Sequence, residues 1–284
     1  MSRSTEPSIY YFHSNSFADA IVPELCTRIV GHRIRSINGL YLQRPSFVNR
    51  FRVRLYRDYR QYRTTRHLLT LGSILHHARD GDVIWGAGFN PVWREERPTD
   101  FKLDVRAVRG PLTGEYVREV LGLRCPAVYG DPALLLPQLF PEFRRTGGGG
   151  NLVLAQHNDE PYLARMGAVE TYPALLLCQR KRRLPWHKVV RAILSADYVI
   201  SSSLHGVIIA EAFGIPARWW HSEELPSAKT EGRFKFNDYY LATGRSPDNF
   251  VETIEEAELL GPPKVKMDFN SANLLSSFPL ELFQ

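Results

Sequence analysis

The stretch Tyr198–Trp220, Y-V-I-S-S-S-L-H-G-V-I-I-A-E-A-F-G-I-P-A-R-W-W, constrains the fold more than any other part of the chain. Tyr198-Val199-Ile200 is a short β-branched run suited to a buried strand. Ser201, Ser202 and Ser203 are hydroxyl residues able to cap a helix. Gly206 lets the backbone approach a neighbour closely. Val207–Phe213 is an apolar helix that Gly214 stops, and Ile215-Pro216 leads into another strand. A strand, polar turn and helix in that order place helix N–H groups where α/β proteins hold anions. His205 stands in this turn and is its one side chain able to move a proton near neutral pH. An ordinary capped β-α-β unit would also carry the serines. The histidine followed at once by glycine favours a functional role.

The rest of the chain repeats the same alternation. Ser8–His13 reads as a strand, Ser14–Asp19 as a polar turn and Ala20–Val30 as a helix with Ile21, Leu25 and Ile29 on one face. Strands are expected at Asp82–Trp85, Asp104–Val108, Ala127–Tyr129 and Asn151–Ala155, and helices at Leu112–Leu121 and Trp186–Leu194. Glu231–Tyr240 sets Arg233 and Lys235 in alternation with Phe234 and Phe236, the pattern of a half-exposed edge strand. Ser276–Gln284 reads as an amphipathic tail packed on a domain surface. R-R-T-G-G-G-G at Arg144–Gly150 reads as a linker. The expected architecture is therefore α/β, with a division into residues 1–146 and 147–284.

Arg109 is expected at the carboxyl end of its strand, where a guanidinium can hold a phosphate or carboxylate through two hydrogen bonds. Asp19 lies at a helix start, where a carboxylate caps the helix. Asp131, in Gly130-Asp131-Pro132, reads as a turn former. Asp80-Gly81-Asp82 has the D-x-D form of some metal sites, but it precedes its strand and reads as a turn. Gly86-Ala87-Gly88 lacks the third glycine of a dinucleotide fingerprint.

Composition excludes several classes. Over 284 residues, 44% hydrophobic and 23% charged content is that of a globular protein. Cys26, Cys125 and Cys178 are odd in number and lack C-x-x-C spacing, which argues against a disulfide framework or zinc site and for a reducing cytosol. The first eight residues lack a signal-peptide core, and no apolar run approaches the ~20 residues of a membrane span. The net charge is +6, yet Arg44–Arg66 alone holds eight arginines against Asp58, a local +7, so the remainder carries −1. Basic and aromatic residues interleave over Arg50–Arg63, which suits an anionic membrane surface, a nucleic acid, an acidic partner or a solvated helical face.

Five stretches in order resemble the polysaccharide pyruvyl transferases: W-G-A-G-F-N at Trp85–Asn90, L-D-V-R-A-V-R-G-P at Leu103–Pro111, V-Y-G-D-P at Val128–Pro132, the Ile200–Ala217 signature, and R-F-K-F-N-D-Y-Y at Arg233–Tyr240. The resemblance runs from Tyr10 to about Arg245 and is closest to the exopolysaccharide branch. It implies two Rossmann-like domains facing across a cleft, as in glycosyltransferases of the B type. It implies transfer of pyruvate from phosphoenolpyruvate to two hydroxyls of a sugar, as a ketal, with no cofactor and no metal. The lipid-linked oligosaccharide of an exopolysaccharide repeat unit would be the acceptor. The enzyme would be cytoplasmic, on the inner face of the plasma membrane through Arg44–Arg66, with no nucleic acid partner.

Carried over residue by residue, the resemblance makes His205 the acid and Asp19 the group that deprotonates the acceptor. Phe17-Ala18-Asp19 stands where the family has Phe-Gly-Asp. Arg109, Ser202, Ser203, Leu204, Gly206, Lys235, Arg233 and Arg106 are expected around the donor, and His157 and Asn90 around the acceptor. Many relatives carry arginine before the Leu-His pair. Ser203 stands there instead, so Arg106, Arg233 or Lys235 must supply the missing charge. A nucleotide-sugar glycosyltransferase on the same scaffold is the alternative, as is a basic adaptor binding anionic lipid or RNA.

Overall fold

The computed structural model describes residues 7–11, 17–38, 65–92, 101–171, 176–177 and 185–284. Ten strands among them form two five-stranded sheets, every pairing parallel. The first holds β1 (Ser8–Tyr11), β2 (Ser36–Asn38), β3 (His67–Leu69), β4 (Val83–Trp85) and β5 (Asp104–Ala107), in the order β2-β1-β3-β4-β5. The second holds β6 (Asn151–Ala155), β7 (Leu176–Leu177), β8 (Tyr198–Ser201), β9 (Ala217–Trp220) and β10 (Phe250–Val251), in the order β10-β9-β8-β6-β7. Counted from its own first strand, each sheet runs 2-1-3-4-5. That order reverses direction between its first and third strands, and ligands of such sheets gather beyond the carboxyl ends at that point. The reversals fall between β1 and β3 and between β6 and β8.

β8 is buried along its whole length, which is why its sequence is a continuous apolar run. The helix Leu204–Ala212 follows and is buried on nearly every side, so it has no polar stripe. Gly206 is required here, because a Cβ at that position would overlap Ser201 Oγ and crowd Leu154. Glu211, near the end of this helix, accepts two hydrogen bonds from Arg245 (2.6 and 2.9 Å) and one from Tyr239 Oη (2.6 Å). The network locks the helix to the one spanning Phe234–Ala242.

That second helix replaces the edge strand expected over Glu231–Tyr240. Phe236 stacks on Trp219 at 4.2 Å, and Lys235, Asp238, Tyr239 and Tyr240 are also buried. Alternating Phe and Lys imitates a strand because this helix, too, is covered almost all round. The expected strand Ala127–Tyr129 is reduced to a single bridge from Tyr129 to Val108. The helix expected over Leu112–Leu121 begins at Pro111 and widens into π geometry at Tyr116–Val120.

The glycine run is docked and does not hang free. Thr146 and Gly147 N–H groups donate to Leu194 O, and Gly149 N–H to Ser195 O. Gly148 and Gly150 donate to the Asp197 carboxylate (2.8 and 3.0 Å), which these two N–H groups hold below the usual carboxylate range. One apolar cluster continues across this junction, from Ile9, Leu68 and Trp85 through Leu135 and Phe140 to Leu152, Val199 and Trp219. The C-terminal residues return to the first sheet. Trp85 Nε1 donates to Leu274 O (3.0 Å) and Ser277 Oγ (3.1 Å), and Phe278 meets the indole edge-on at 4.9 Å.

Cys26 and Cys125 are buried free thiols, while Cys178 lies outside the described residues. The basic segment lies outside them too, apart from Thr65 and Arg66. Arg66 is spent on Gly81 O and Asp104. Among the described residues no helix is long and apolar enough to cross a membrane.

Candidate active site

The two reversal points carry most of the residues singled out by the sequence. At the second, β8 ends in Ser201, whose hydroxyl bonds Leu154 O (2.6 Å) and accepts Ser203 N–H (3.0 Å). Ser202 Oγ accepts Gln156 N–H (2.9 Å) and donates to Asp159 Oδ2 (2.7 Å). Asp159, fully buried, also accepts the N–H and hydroxyl of Ser227, both at 2.9 Å. Two of the three serines are therefore internal ties that fix the turn. Ser203 occupies the N-cap position in extended geometry, and its side chain makes no cap bond. The first N–H groups of a nine-residue helix thus open at this turn.

His205 lies in the first turn of that helix, 12% exposed. Its Nε2 is buried and stands 3.5 Å from Oδ2 of Asp131, a fully buried carboxylate from the first half of the chain. The other oxygen, Oδ1, accepts Ala133 N–H (2.9 Å) and caps the short helix Pro132–Leu135. Asp131 is the turn former expected from Gly-Asp-Pro, and it also faces the histidine.

At the first reversal point, Asp19 is half-buried and opens a 3-10 turn. Its Oδ1 lies so close to Gly72 that a Cβ there would approach it to 3.3 Å. Gly72 O accepts Gly88 N–H (2.8 Å), which laces the loop after β3 to the loop after β4. Ser73, the next residue, accepts Arg109 Nη1 at 2.8 Å.

Arg109 has its guanidinium taken up by protein groups. Its side chain is closed off from solvent, with Nε donating to Asp238 Oδ2 (3.1 Å) and Nη2 to Phe89 O (3.4 Å). Asp238 is held further by Thr113 N–H (3.0 Å) and Thr113 Oγ1 (2.6 Å). Glycine is needed on both sides of the pair, since a Cβ on Gly88 would overlap the guanidinium and one on Gly110 would overlap Asp238. A Coulombic partner lies within reach, so the fork faces inward and fixes the wall of the site.

Lys235 lies on the helix that Asp238 anchors. Its Nζ is 3.5 Å from Gln156 Oε1, and Gln156 N–H reaches Ser202. Burial, helped by the charge of Arg109, pulls the ammonium down to about 7, while Asp159 and Asp19 act in the opposite direction. That set of influences draws Asp19, Arg109, Lys235 and Asp159 into one electrostatic neighbourhood. Lys235 is buried in this neighbourhood together with Arg109.

Arg106 and Arg233 lie apart from it. Arg106 binds Asp104 and Glu281 on the outer edge of the first sheet. Arg233 binds Glu223 (2.8 Å) and His221 (3.3 Å) and stacks over Phe250 at 4.6 Å. His157, half-buried, begins the short helix after β6, beside the second reversal point. Asn90 is buried, with Oδ1 accepting Val92 N–H (3.1 Å). Asp80 and Asp82 stand at the amino end of β4, accepting from Lys102 N and from His67 N and Arg79 N, as a turn should. Among the described residues no cluster of three or more His, Cys, Asp or Glu side chains is arranged to hold a metal ion.

Two parallel sheets of one topology, with a histidine-bearing helix start at the second reversal and a carboxylate at the first, define an α/β protein. The family model for polysaccharide pyruvyl transferases matches residues 55–219, more than half of the chain. The chain belongs to the polysaccharide pyruvyl transferase family. It is similar to the succinoglycan biosynthesis protein ExoV of Rhizobium meliloti (strain 1021), 26% identical over 214 residues. That match covers 72% of this chain and 63% of the relative, so the chain aligns with less than two thirds of that protein's length. The family match includes Arg109, Asp131, His157 and His205; Asp19 and Lys235 fall outside it.

Proposed function

We propose that this protein transfers pyruvate from phosphoenolpyruvate to two hydroxyls of a sugar, forming a pyruvate ketal on a lipid-linked exopolysaccharide repeat unit. Residues 1–146 and 147–284 form two Rossmann-like halves across a cleft, the second holding the donor. The observation that carries this reading is the placing of His205 at the open helix start of the second reversal point, with Lys235 buried alongside.

The donor's phosphate and carboxylate are met by the N–H groups around Ser203, Leu204 and Gly206 and by the Lys235 ammonium. His205 gives a proton to the methylene carbon, which becomes a methyl group and leaves C2 electron-poor. A sugar hydroxyl attacks C2 and Asp19 takes its proton. The bond between C2 and the phosphate oxygen breaks with its electron pair on phosphate, the second hydroxyl closes the ring, and its proton leaves with inorganic phosphate. Ser202, through Asp159, keeps the turn in shape. Arg109, through Asp238, holds the helix that carries Lys235. His157 and Asn90 contact the acceptor. The Arg44–Arg66 segment holds the protein at the inner membrane face, where lipid-linked acceptors lie, each basic residue near an anionic surface being worth ~1 kcal/mol.

Incubation with phosphoenolpyruvate and candidate lipid-linked oligosaccharides tests this directly. Phosphate release together with a ketal mass on the oligosaccharide is expected. Nucleotide release from a nucleotide sugar, with no phosphate from phosphoenolpyruvate, would replace this reading with that of a glycosyltransferase.

A further inference from the structure

We propose that Asp131 is the positioning residue of His205, fixing its tautomer so that Nδ1, and not Nε2, delivers the proton. The proposal rests on the reading of His205 as the proton donor. The geometry comes from the paired atoms themselves. Asp131 is fully buried, and Oδ1 is occupied by Ala133 N–H. Oδ2 has no hydrogen-bond partner and faces Nε2 of His205 at 3.5 Å, and Nε2 is equally enclosed. A buried carboxylate oxygen left without a donor is costly, and an imidazole N–H is the group placed to satisfy it. With Nε2 closed in, the exposure that His205 retains belongs to the opposite edge of the ring, which carries Nδ1.

Among the described residues Asp131 is the titratable group that meets this ring. Lys235 connects to the turn through Gln156 and Ser202. The two partners come from different halves of the chain, Asp131 from the turn after Tyr129 and His205 from the helix after β8. The catalytic atom is thus oriented by a residue outside its own sheet.

In the transfer step Nδ1–H gives its proton to the methylene carbon. The N–H electron pair stays on the ring, which becomes neutral imidazole and keeps Nε2–H toward Asp131. Nδ1 takes a fresh proton from solvent before the next turnover. Asp131 itself exchanges no proton. It holds the ring in one orientation.

Asp131→Asn is the discriminating variant. Its carbonyl keeps the cap on Ala133, and its NH2 turns toward Nε2, which must then accept. A long-range 1H–15N spectrum, recorded above the pH at which the ring becomes neutral and assigned by loss of the signal in His205→Asn, reads the tautomer. Nε2–H is expected in the native protein and Nδ1–H in Asp131→Asn. Nδ1–H in the native protein, or one tautomer in both, overturns the proposal.

Turnover supplies the second readout. Reversing a tautomer in a serine-protease triad costs up to ~10⁴-fold, and here Asp131→Asn should lower kcat at least ~10²-fold with phosphoenolpyruvate KM little changed. In a His205→Asn background the same change should cost almost nothing more, whereas an undiminished second loss contradicts the pairing. The spectrum needs no substrate, so absence of phosphoenolpyruvate turnover counts against the functional reading and leaves the tautomer result standing.

Discussion

Arg109 Nε and Asp238 Oδ2 stand 3.1 Å apart, 129 residues distant in sequence and both sealed from solvent. The pair fastens the helix Phe234–Ala242 to the end of β5, and with it the position of Lys235. Removing one partner of a buried pair leaves an uncompensated charge, a loss of about 3–5 kcal/mol. Asp238→Asn should lower the unfolding free energy by about that much, measured as a shift in urea midpoint. Unchanged stability with a raised KM for phosphoenolpyruvate would mean instead that Arg109 turns to grip the donor.

Lys235 offers a pH test whose sign follows from its environment. Burial lowers the folded-state value from 10.5 to about 7. The stability this group contributes is therefore present above about pH 10.5 and lost as pH falls toward 7, where the folded protein must accept a buried charge. Lys235→Met should accordingly gain stability over the native protein at pH 6, and the gain should disappear by about pH 10, in paired thermal melts. KM for phosphoenolpyruvate should rise above pH 7 in the native protein as the ammonium is lost, and stay flat in the variant.

Asp19→Asn separates chemistry from capping. The N-cap position before this 3-10 turn is Ala18, so the carboxylate is not the cap residue of a regular helix start. Donor binding and melting temperature should hold while turnover falls about 10²-fold. A melting point lowered by the ~1 kcal/mol of a lost cap, with turnover intact, would assign Asp19 to the helix instead.

Gly206→Ala tests the packing behind the site. The added methyl meets Ser201 Oγ and Leu154 with no room to spare. Overpacking of this kind costs about 1–3 kcal/mol. A lower melting temperature is expected, and unchanged melting would show that the helix can shift away from β8.

Much of the second half was legible because local signals agreed. β6, β8, β9 and the helices Trp186–Ser195 and Leu204–Ala212 carry apolar positions, and Gly214 and Pro216 mark the break before β9. β7 and β10 are two residues each, too short to imprint a period on the sequence. The helix Phe234–Ala242 looks like a strand because burial on most sides removed its polar face. Arg109 was legible as important but not as inward-facing, since its burial is decided by Gly88, Gly110 and Asp238, all of which act through space. Asp131 carries a capping signature that conceals its second oxygen, whose partner lies in the other half of the chain.

The bond from Trp85 to Leu274 spans 189 residues. On a ribosome adding about 5–20 residues per second, the indole is made some ~10–40 s before its cover exists. The first sheet is thus synthesised before the second and closed only after it. During that interval its Trp85 edge is exposed to chaperones and to other nascent chains.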